Sequence, residues 1–291
     1  MMKNIAYWLL LSIIYPLAWL PKRVLFLFAD ISYFLIYYLL KYRKSVVFTN
    51  LSRSFPEKSY AEIKQLVKRY YRYFADLFFE NIYMLGTSTK KTLKTVSFSN
   101  VELLEKYAKE GKSVIILTGH YCNWEYIALI TKFFNFKIAY KEQKGAFDRL
   151  MKRLRTRFSG SEIIIPMQHL MRYILTHKEE QHVYGFIADQ SPSDKAKCWT
   201  TFLHQDTNFF GGAETMATRL NLPVVYLELT RKKRASYHFS FTSICEHPKE
   251  LPEHEITLRF VRLLEDAIKR QPQYWLWSHK RWKHRKTMIN D

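Results

Sequence analysis

The chain is 291 residues long, enough for one large domain or two small ones. Lys and Arg number 46 against 26 Asp and Glu, a formal net charge of +20, so the expected partners are anionic: nucleic acid, an anionic membrane, phosphorylated substrates or an acidic protein. The 3 cysteines, Cys122, Cys198 and Cys245, are odd in number, widely spaced and without metal-ligand spacing, which argues against a disulfide framework and fits reduced thiols in a reducing compartment.

Ile5 to Leu20 is almost wholly apolar and aromatic, Pro21-Lys22-Arg23 interrupts it, and Val24 to Leu40 resumes it. Each run is marginal against the about 20 apolar residues of a spanning helix. No small-residue cleavage site follows the first run. Residues 1–41 are therefore expected to form an uncleaved membrane anchor, with one spanning or deeply embedded helix and the second run helical against the membrane or the domain. Lys41, Arg43 and Lys44 follow at once, and the positive-inside rule puts residues 42–291, the second expected unit, on the cytoplasmic side.

Tyr42 to Pro56 reads as a basic connector. Ser59 and Glu62 make a capping box that opens a helix from about Tyr60 to Met84 with a broad aromatic face. Thr87 to Ser99 reads as a linker or edge strand, and Asn100 caps a short helix, Val101 to Glu110, that ends at Gly111. From there strands and helices alternate: strand Ser113 to Thr118, helix Trp124 to Phe134, strand Lys137 to Tyr140, helix Ala146 to Phe158, strand Glu162 to Ile165, helix Gln168 to His177 and strand His182 to Ala188. A loop to Phe210, a helix Gly211 to Leu220, strands Pro223 to Thr230 and Tyr237 to Ile244, and a helix Ile256 to Arg270 complete the pattern. The alternation predicts an α/β fold with a largely parallel central sheet flanked by helices.

The chemistry-bearing residues fall at predicted strand ends, where open α/β sheets bind ligands. The stretch Ser113 to Tyr126 reads as strand, Thr118-Gly119 turn, His120, and a helix opened by Asn123 with Glu125 in its first turn. Residues five apart on one helix point about 140° apart. The pair His120 and Glu125 can therefore act together, as a base and its orienting carboxylate, only if His120 lies on the turn. Asp189 and Gln190 follow another strand at the same edge. The helix before Gly160 carries Arg149, Lys152, Arg153, Arg155 and Arg157, read either as a solvated face or as the source of an Arg for a developing oxyanion or a phosphate. Cys122 reads as structural, since a catalytic thiol meets its base from another segment. There is no Gly-x-Ser-x-Gly elbow and no zinc-spaced cluster, so direct base catalysis is the economical mechanism. The segment Gln271 to Lys286 mixes Trp275, Trp277 and Trp282 with Lys280, Arg281, Lys283, His284 and Arg285, and reads as an interfacial or headgroup patch or as a tail packed by its Trp residues.

His120-Tyr-Cys-Asn-Trp-Glu125 after Thr118-Gly119, with Tyr42-Arg43, Asn50-Leu51, Ser54-Phe55-Pro56, Arg155-Thr-Arg157-Phe158, Asp189-Gln190, Phe209-Phe210-Gly211 and Gln273 to Lys283, resembles in order the late acyltransferases of lipid A biosynthesis. That lauroyl/myristoyl transferase family is related to the glycerophospholipid acyltransferases with their His-x4-Asp/Glu signature. The resemblance implies a glycerophosphate-acyltransferase-like fold and transfer of a fatty acyl chain from acyl carrier protein to a hydroxyl of a lipid A precursor, without a cofactor. It implies His120 as base, Glu125 as its orienter and Arg157 or Arg155 at the oxyanion; Asp189, Gln190, Asn123 and Arg153 are the expected substrate-binding residues. The expected setting is the cell inner membrane, the expected state a monomer, and the expected partners the carrier protein, the lipid acceptor and anionic lipid, with no nucleic acid. Two rivals stand beside it: an acyltransferase for a glycerophospholipid or other lipid acceptor, and a non-catalytic basic membrane-associated binding protein.

Overall fold

The β-branched apolar runs do form strands. The computed structural model describes residues 2–142, 145–192, 196 and 198–284. Its helices in chain order are α1 Met2–Ala18, α2 Lys22–Phe34 with a π-helical extension Leu35–Leu39, α3 Lys44–Ser54, α4 Tyr60–Gly86, α5 Thr89–Leu93, α6 Glu102–Lys109, α7 Ala146–Thr156, α8 Met167–Thr176, α9 Gly212–Leu220 and α10 Glu255–Arg270. Its strands are β1 Val96–Ser99, β2 Val114–Thr118, β3 Phe136–Tyr140, β4 Ile164–Pro166, β5 Val183–Ile187, β6 Cys198–Phe202, β7 Gln205–Phe209, β8 Val224–Lys233 and β9 Ser236–Cys245.

Seven strands make one sheet in the order β1-β9-β8-β2-β5-β3-β4. All neighbours are parallel except the β8–β9 hairpin, so the mostly parallel α/β architecture is as the sequence predicts. Every residue of β2 is buried, as a central parallel strand covered on both faces requires. The parallel β2–β5 register sets Thr118 opposite Ile187. The chain segments that follow both strands therefore leave the sheet side by side.

Four segments differ from the sequence reading. Tyr42 to Pro56 is not a connector: it contains α3, entered through Arg43 in the left-handed conformation and held by buried Val47 and Leu51, one turn apart. Trp124 to Lys132 is a 3-10 rather than an α-helix; Glu125 to Ile130 are buried without interruption, and packing on all sides decides its geometry instead of an amphipathic stripe. The loop before Phe210 contains the β6–β7 hairpin, whose two turn residues, Leu203 and His204, both have positive φ. That is the backbone of a turn normally marked by Asn-Gly or Asp-Gly, and the absence of those residues hides it.

The fourth difference concerns the expected spanning helix. Among the described residues no single helix is long and apolar enough to cross a membrane. The extended α2 and α3 have the length and composition together, but the chain bends by 89° between them. Pro21 separates α1 from α2, and each helix turns one stripe into the core: Tyr7, Leu11, Ile14 and Ala18 from α1, and Leu25, Phe26, Ala29 and Tyr33 from α2. Their other faces leave Trp8, Leu9, Ile13, Leu27, Ile31, Phe34 and Leu39 exposed.

A buried charge network ties α2 and α4 to the β8–β9 turn. Arg231 donates to Asp76 at 2.7 Å and to Glu80 at 3.0 Å, with all three side chains nearly inaccessible. Arg234 reaches Asp76 and Asp30, and Glu80 also accepts from the Ala235 N–H and the Tyr237 hydroxyl. Breaking a buried pair strands the remaining charge. Arg231→Met should therefore destabilise the fold by about 3–5 kcal/mol, read as a lowered denaturation midpoint.

Candidate active site

His120 and Asp189 lie in the two segments leaving β2 and β5, and the Ala188 N–H extends the ladder by donating to the Thr118 carbonyl at 2.9 Å. Gly119 allows the carboxylate to come close: a Cβ there would stand 3.2 Å from Asp189 Oδ2 and 2.7 Å from Leu264 Cδ1. The His120 backbone N–H donates to Asp189 Oδ2 at 2.8 Å, and its Nδ1 is 2.6 Å from Oδ1. Asp189 is 2% exposed and also accepts from Trp275 Nε1–H at 2.7 Å. Burial alone would push its carboxyl up; the facing imidazole and the bonds from His120 and Trp275 outweigh it and hold the group below the usual carboxylate range.

An ionised carboxylate can only accept, so Nδ1 of His120 carries the proton and Nε2 presents its lone pair. The Gln190 side-chain amide donates to that Nε2 at 3.1 Å. The Trp124 ring meets the imidazole edge-on, with centroids 4.9 Å apart.

The carboxylate bonded to His120 is Asp189, not the expected Glu125. His120 precedes the 3-10 helix, while Glu125 projects from its first turn toward α7, where it takes a two-pronged ion pair from Arg155, Nε to Oε2 at 2.7 Å and Nη2 to Oε1 at 2.6 Å. Asn123 is part of the protein framework: its Oδ1 accepts from the Glu125 N–H at 3.2 Å, and its Nδ2 donates to Glu80 at 3.2 Å. Arg157 is spent on the Leu85 and Thr87 carbonyls at the end of α4, and Arg153 donates to the Tyr15 hydroxyl of α1 at 2.6 Å. Of the two arginines expected at an oxyanion, Arg155 alone is tied to the His-x4-Glu segment, through Glu125. His120, Asp189 and Gln190 come together, Glu125 and Arg155 form a second pair beside them, and Arg153 and Arg157 bind structural partners.

Of the two readings of the segment 271–284, the structure matches the tail packed by its Trp residues: it forms a strap with Trp275 and Trp277 inward and Lys280 and Lys283 exposed. Trp275, Trp277 and Arg281 are 2%, 0% and 1% exposed; Arg285 and Lys286, read with them in the sequence, lie outside the described residues. Tyr121 and Trp275 pair as an antiparallel bridge. The Leu276 N–H donates to the His120 carbonyl at 3.2 Å, and the Cys122 N–H donates to the Tyr274 carbonyl at 3.0 Å. The Ser191 N–H donates to His279 Nε2 at 3.3 Å, and burial pushes that imidazole down to about 4, so it is neutral. From the far side Asn50 donates to the Trp277 and His279 carbonyls, and Arg43 to that of Ser278. Trp275 is the site residue that sequence reasoning missed. Its segment was singled out, as an interfacial patch or a Trp-packed tail, but nothing local signals that the N–H finds a carboxylate 86 residues away.

An apolar cavity of about 470 Å³ reaches this site. Trp124, Glu125 and Leu276 line it near His120, and Phe74, Phe78, Leu150 and Leu154 line its walls. Leu35, Ile36 and Leu40, at the end of α2, also line it, and Leu35 and Leu40 are exposed. Among the described residues no three His, Cys, Asp or Glu side chains are grouped to hold a metal ion.

The chain matches a family model over residues 1–284, that of the bacterial lipid A biosynthesis acyltransferases. A comparison with curated proteins finds no match.

Cys122, two residues from His120, is fully buried, and that burial pushes its thiol well above the ordinary range. It should resist iodoacetamide at pH 8 in the native protein and react on unfolding, as read by mass spectrometry of the Cys122 peptide.

Proposed function

This chain belongs to the bacterial lipid A biosynthesis acyltransferases and is an acyltransferase; on that premise we propose that it moves a fatty acyl chain from an acyl carrier protein thioester to a hydroxyl of a lipid A precursor, at the cytoplasmic face of the inner membrane. The observation that carries this reading is the His120–Asp189 pair set at an apolar cavity through Trp124, which meets the imidazole and lines the cavity. A hydroxyl acceptor needs a base, and an acyl chain needs an apolar wall; both stand within one ring of each other.

The acceptor hydroxyl takes the place of the Gln190 amide on His120 Nε2. The imidazole removes its proton as the oxygen attacks the thioester carbonyl carbon, and Asp189 holds the resulting imidazolium in orientation. The C–O bond forms, the C–S bond breaks, and the departing thiolate recovers the proton from Nε2. Arg155, held by Glu125 on the cavity wall, is the arginine proposed to steady the carbonyl oxygen as it becomes negative.

Support for a membrane setting lies in the exposed apolar faces of α1 and α2 and in the cations that bracket α2, Lys22 and Arg23 at one end and Lys41, Arg43 and Lys44 at the other. The basic surface suits both anionic lipid and an acidic carrier protein.

His120→Ala should lose acyl transfer by at least about 10²-fold while keeping its fold and membrane association. Mass spectrometry of products is the readout, with acyl carrier protein and coenzyme A thioesters as donors and tetra-acylated lipid A precursor and lysophospholipid as acceptors. Retained turnover removes His120 as base, and exclusive use of lysophospholipid overturns the lipid A assignment. In a vesicle co-sedimentation assay the protein should bind phosphatidylglycerol-containing vesicles more tightly than phosphatidylcholine alone. Replacing Leu27, Ile31 and Phe34 together by Glu should abolish that binding.

A further inference from the structure

We infer that Trp275 is a positioning residue, whose indole N–H fixes Asp189 and thereby sets how strongly His120 holds a proton. The inference rests on the reading of His120 as the base and deepens it.

The Asp189 carboxylate has two oxygens and three donors. Oδ1 takes the His120 Nδ1–H, and Oδ2 takes both the His120 backbone N–H and the Trp275 Nε1–H. The first of these bonds passes charge stabilisation to the base. The other two compete with it for carboxylate charge, and only Trp275 reaches the group from another part of the chain. The indole has little freedom to leave: its ring packs edge-on against Trp277 at 4.8 Å, Phe202 at 5.7 Å and Trp282 at 5.8 Å. Its backbone neighbours bond to His120 and Cys122 on the catalytic loop. The residues on either side of Trp275 therefore hold the loop by their main chain, and its own side chain holds the carboxylate.

Besides the Glu125–Arg155 ion pair, whose two charges offset each other, the groups near the pair come from the strap and from β8. His279 on the strap is neutral because of its burial, although Asp189 pulls it up, while His120, Arg281 and Lys283 push it further down. Arg281, also on the strap, lies near enough to Asp189 for their charges to interact and is pushed down to about 10 by burial. Tyr226 on β8 feels the Asp189 charge and is neutral, its hydroxyl raised well above its ordinary value by burial. None of these is shown bonding to Asp189, so the indole N–H is the side-chain donor, besides His120, that the carboxylate loses in a variant.

Without that N–H the carboxylate concentrates its charge on the imidazole, and the imidazolium is favoured. A hydrogen bond to a charged group is worth about 1.5–3 kcal/mol, of which a part is passed on. The His120 titration should therefore move to higher pH by about 0.5–1 unit. The test replaces Trp275 by 3-benzothienylalanine, which keeps the bicyclic ring and removes only the N–H, alongside Trp275→Phe. Titration of His120 in the full-length protein is followed by NMR on labelled histidine, with no substrate present. The expected result is the upward shift in both variants, with the acidic limb of the kcat/KM profile moving the same way, kcat falling about tenfold and KM little changed. An unmoved titration in the benzothienyl variant overturns the inference whatever the activity. Because it is read without turnover, that outcome is separate from a failure of the acyl-transfer reading, which shows as activity retained by His120→Ala.

Discussion

A carboxylate buried to 2% must be given partners or lose its charge, and Asp189 is given three donors from two parts of the chain. Much of the site follows from that requirement. The turn after β2 must lack a side chain at Gly119 so that the carboxylate can approach, the imidazole must present Nδ1–H to it, and the strap must be threaded where Trp275 can reach it. The geometry that results turns His120 Nε2 away from the carboxylate, toward the Gln190 amide. A second buried carboxylate, Glu80, plays the matching role on the other side of the catalytic loop, since it anchors Asn123 and, through Arg231, the β8–β9 turn.

The central strands were legible as short apolar runs between turn signals, with β2 and β5 placed to within a residue or two, whereas β6 and β7 were read as loop. His120 was legible for the same reason, as the first titratable residue after the best strand. Its partner was misread. Glu125 is five residues away and attracts attention, whereas Asp189 is 69 residues away and becomes a neighbour only through the parallel β2–β5 pairing. Asp189 and Gln190 were picked out as site residues, but their role as the carboxylate and amide on the two ring nitrogens depends on strand order, which no local pattern encodes. The choice between Arg155 and Arg157 was likewise a matter of helix rotation: two residues apart, they face Glu125 and the end of α4 respectively.

The N-terminal region shows a different limit. Apolar length and bracketing charges describe both a spanning helix and a helix laid along a surface. What the apolar pattern does not encode is a tertiary fact, that Tyr7, Leu11, Leu25 and Tyr33 belong to the same core as residues of α4. With one stripe used inward, α1 and α2 keep a second apolar face outward, and the cavity lined by Leu35, Ile36 and Leu40 lies between that face and the catalytic residues.

Chain order gives the strap a further meaning. A ribosome makes β2, His120, β5 and Asp189 well before it makes Trp275, and the strap cannot dock until residues 271–284 have emerged. Until then Asp189 lacks one of its three donors and the catalytic loop lacks its bonds to Tyr274 and Leu276. A chain still being synthesised thus holds His120, Asp189 and their strands without the segment that sets them in place, and the last of the described groups around Asp189 to be made is Trp275.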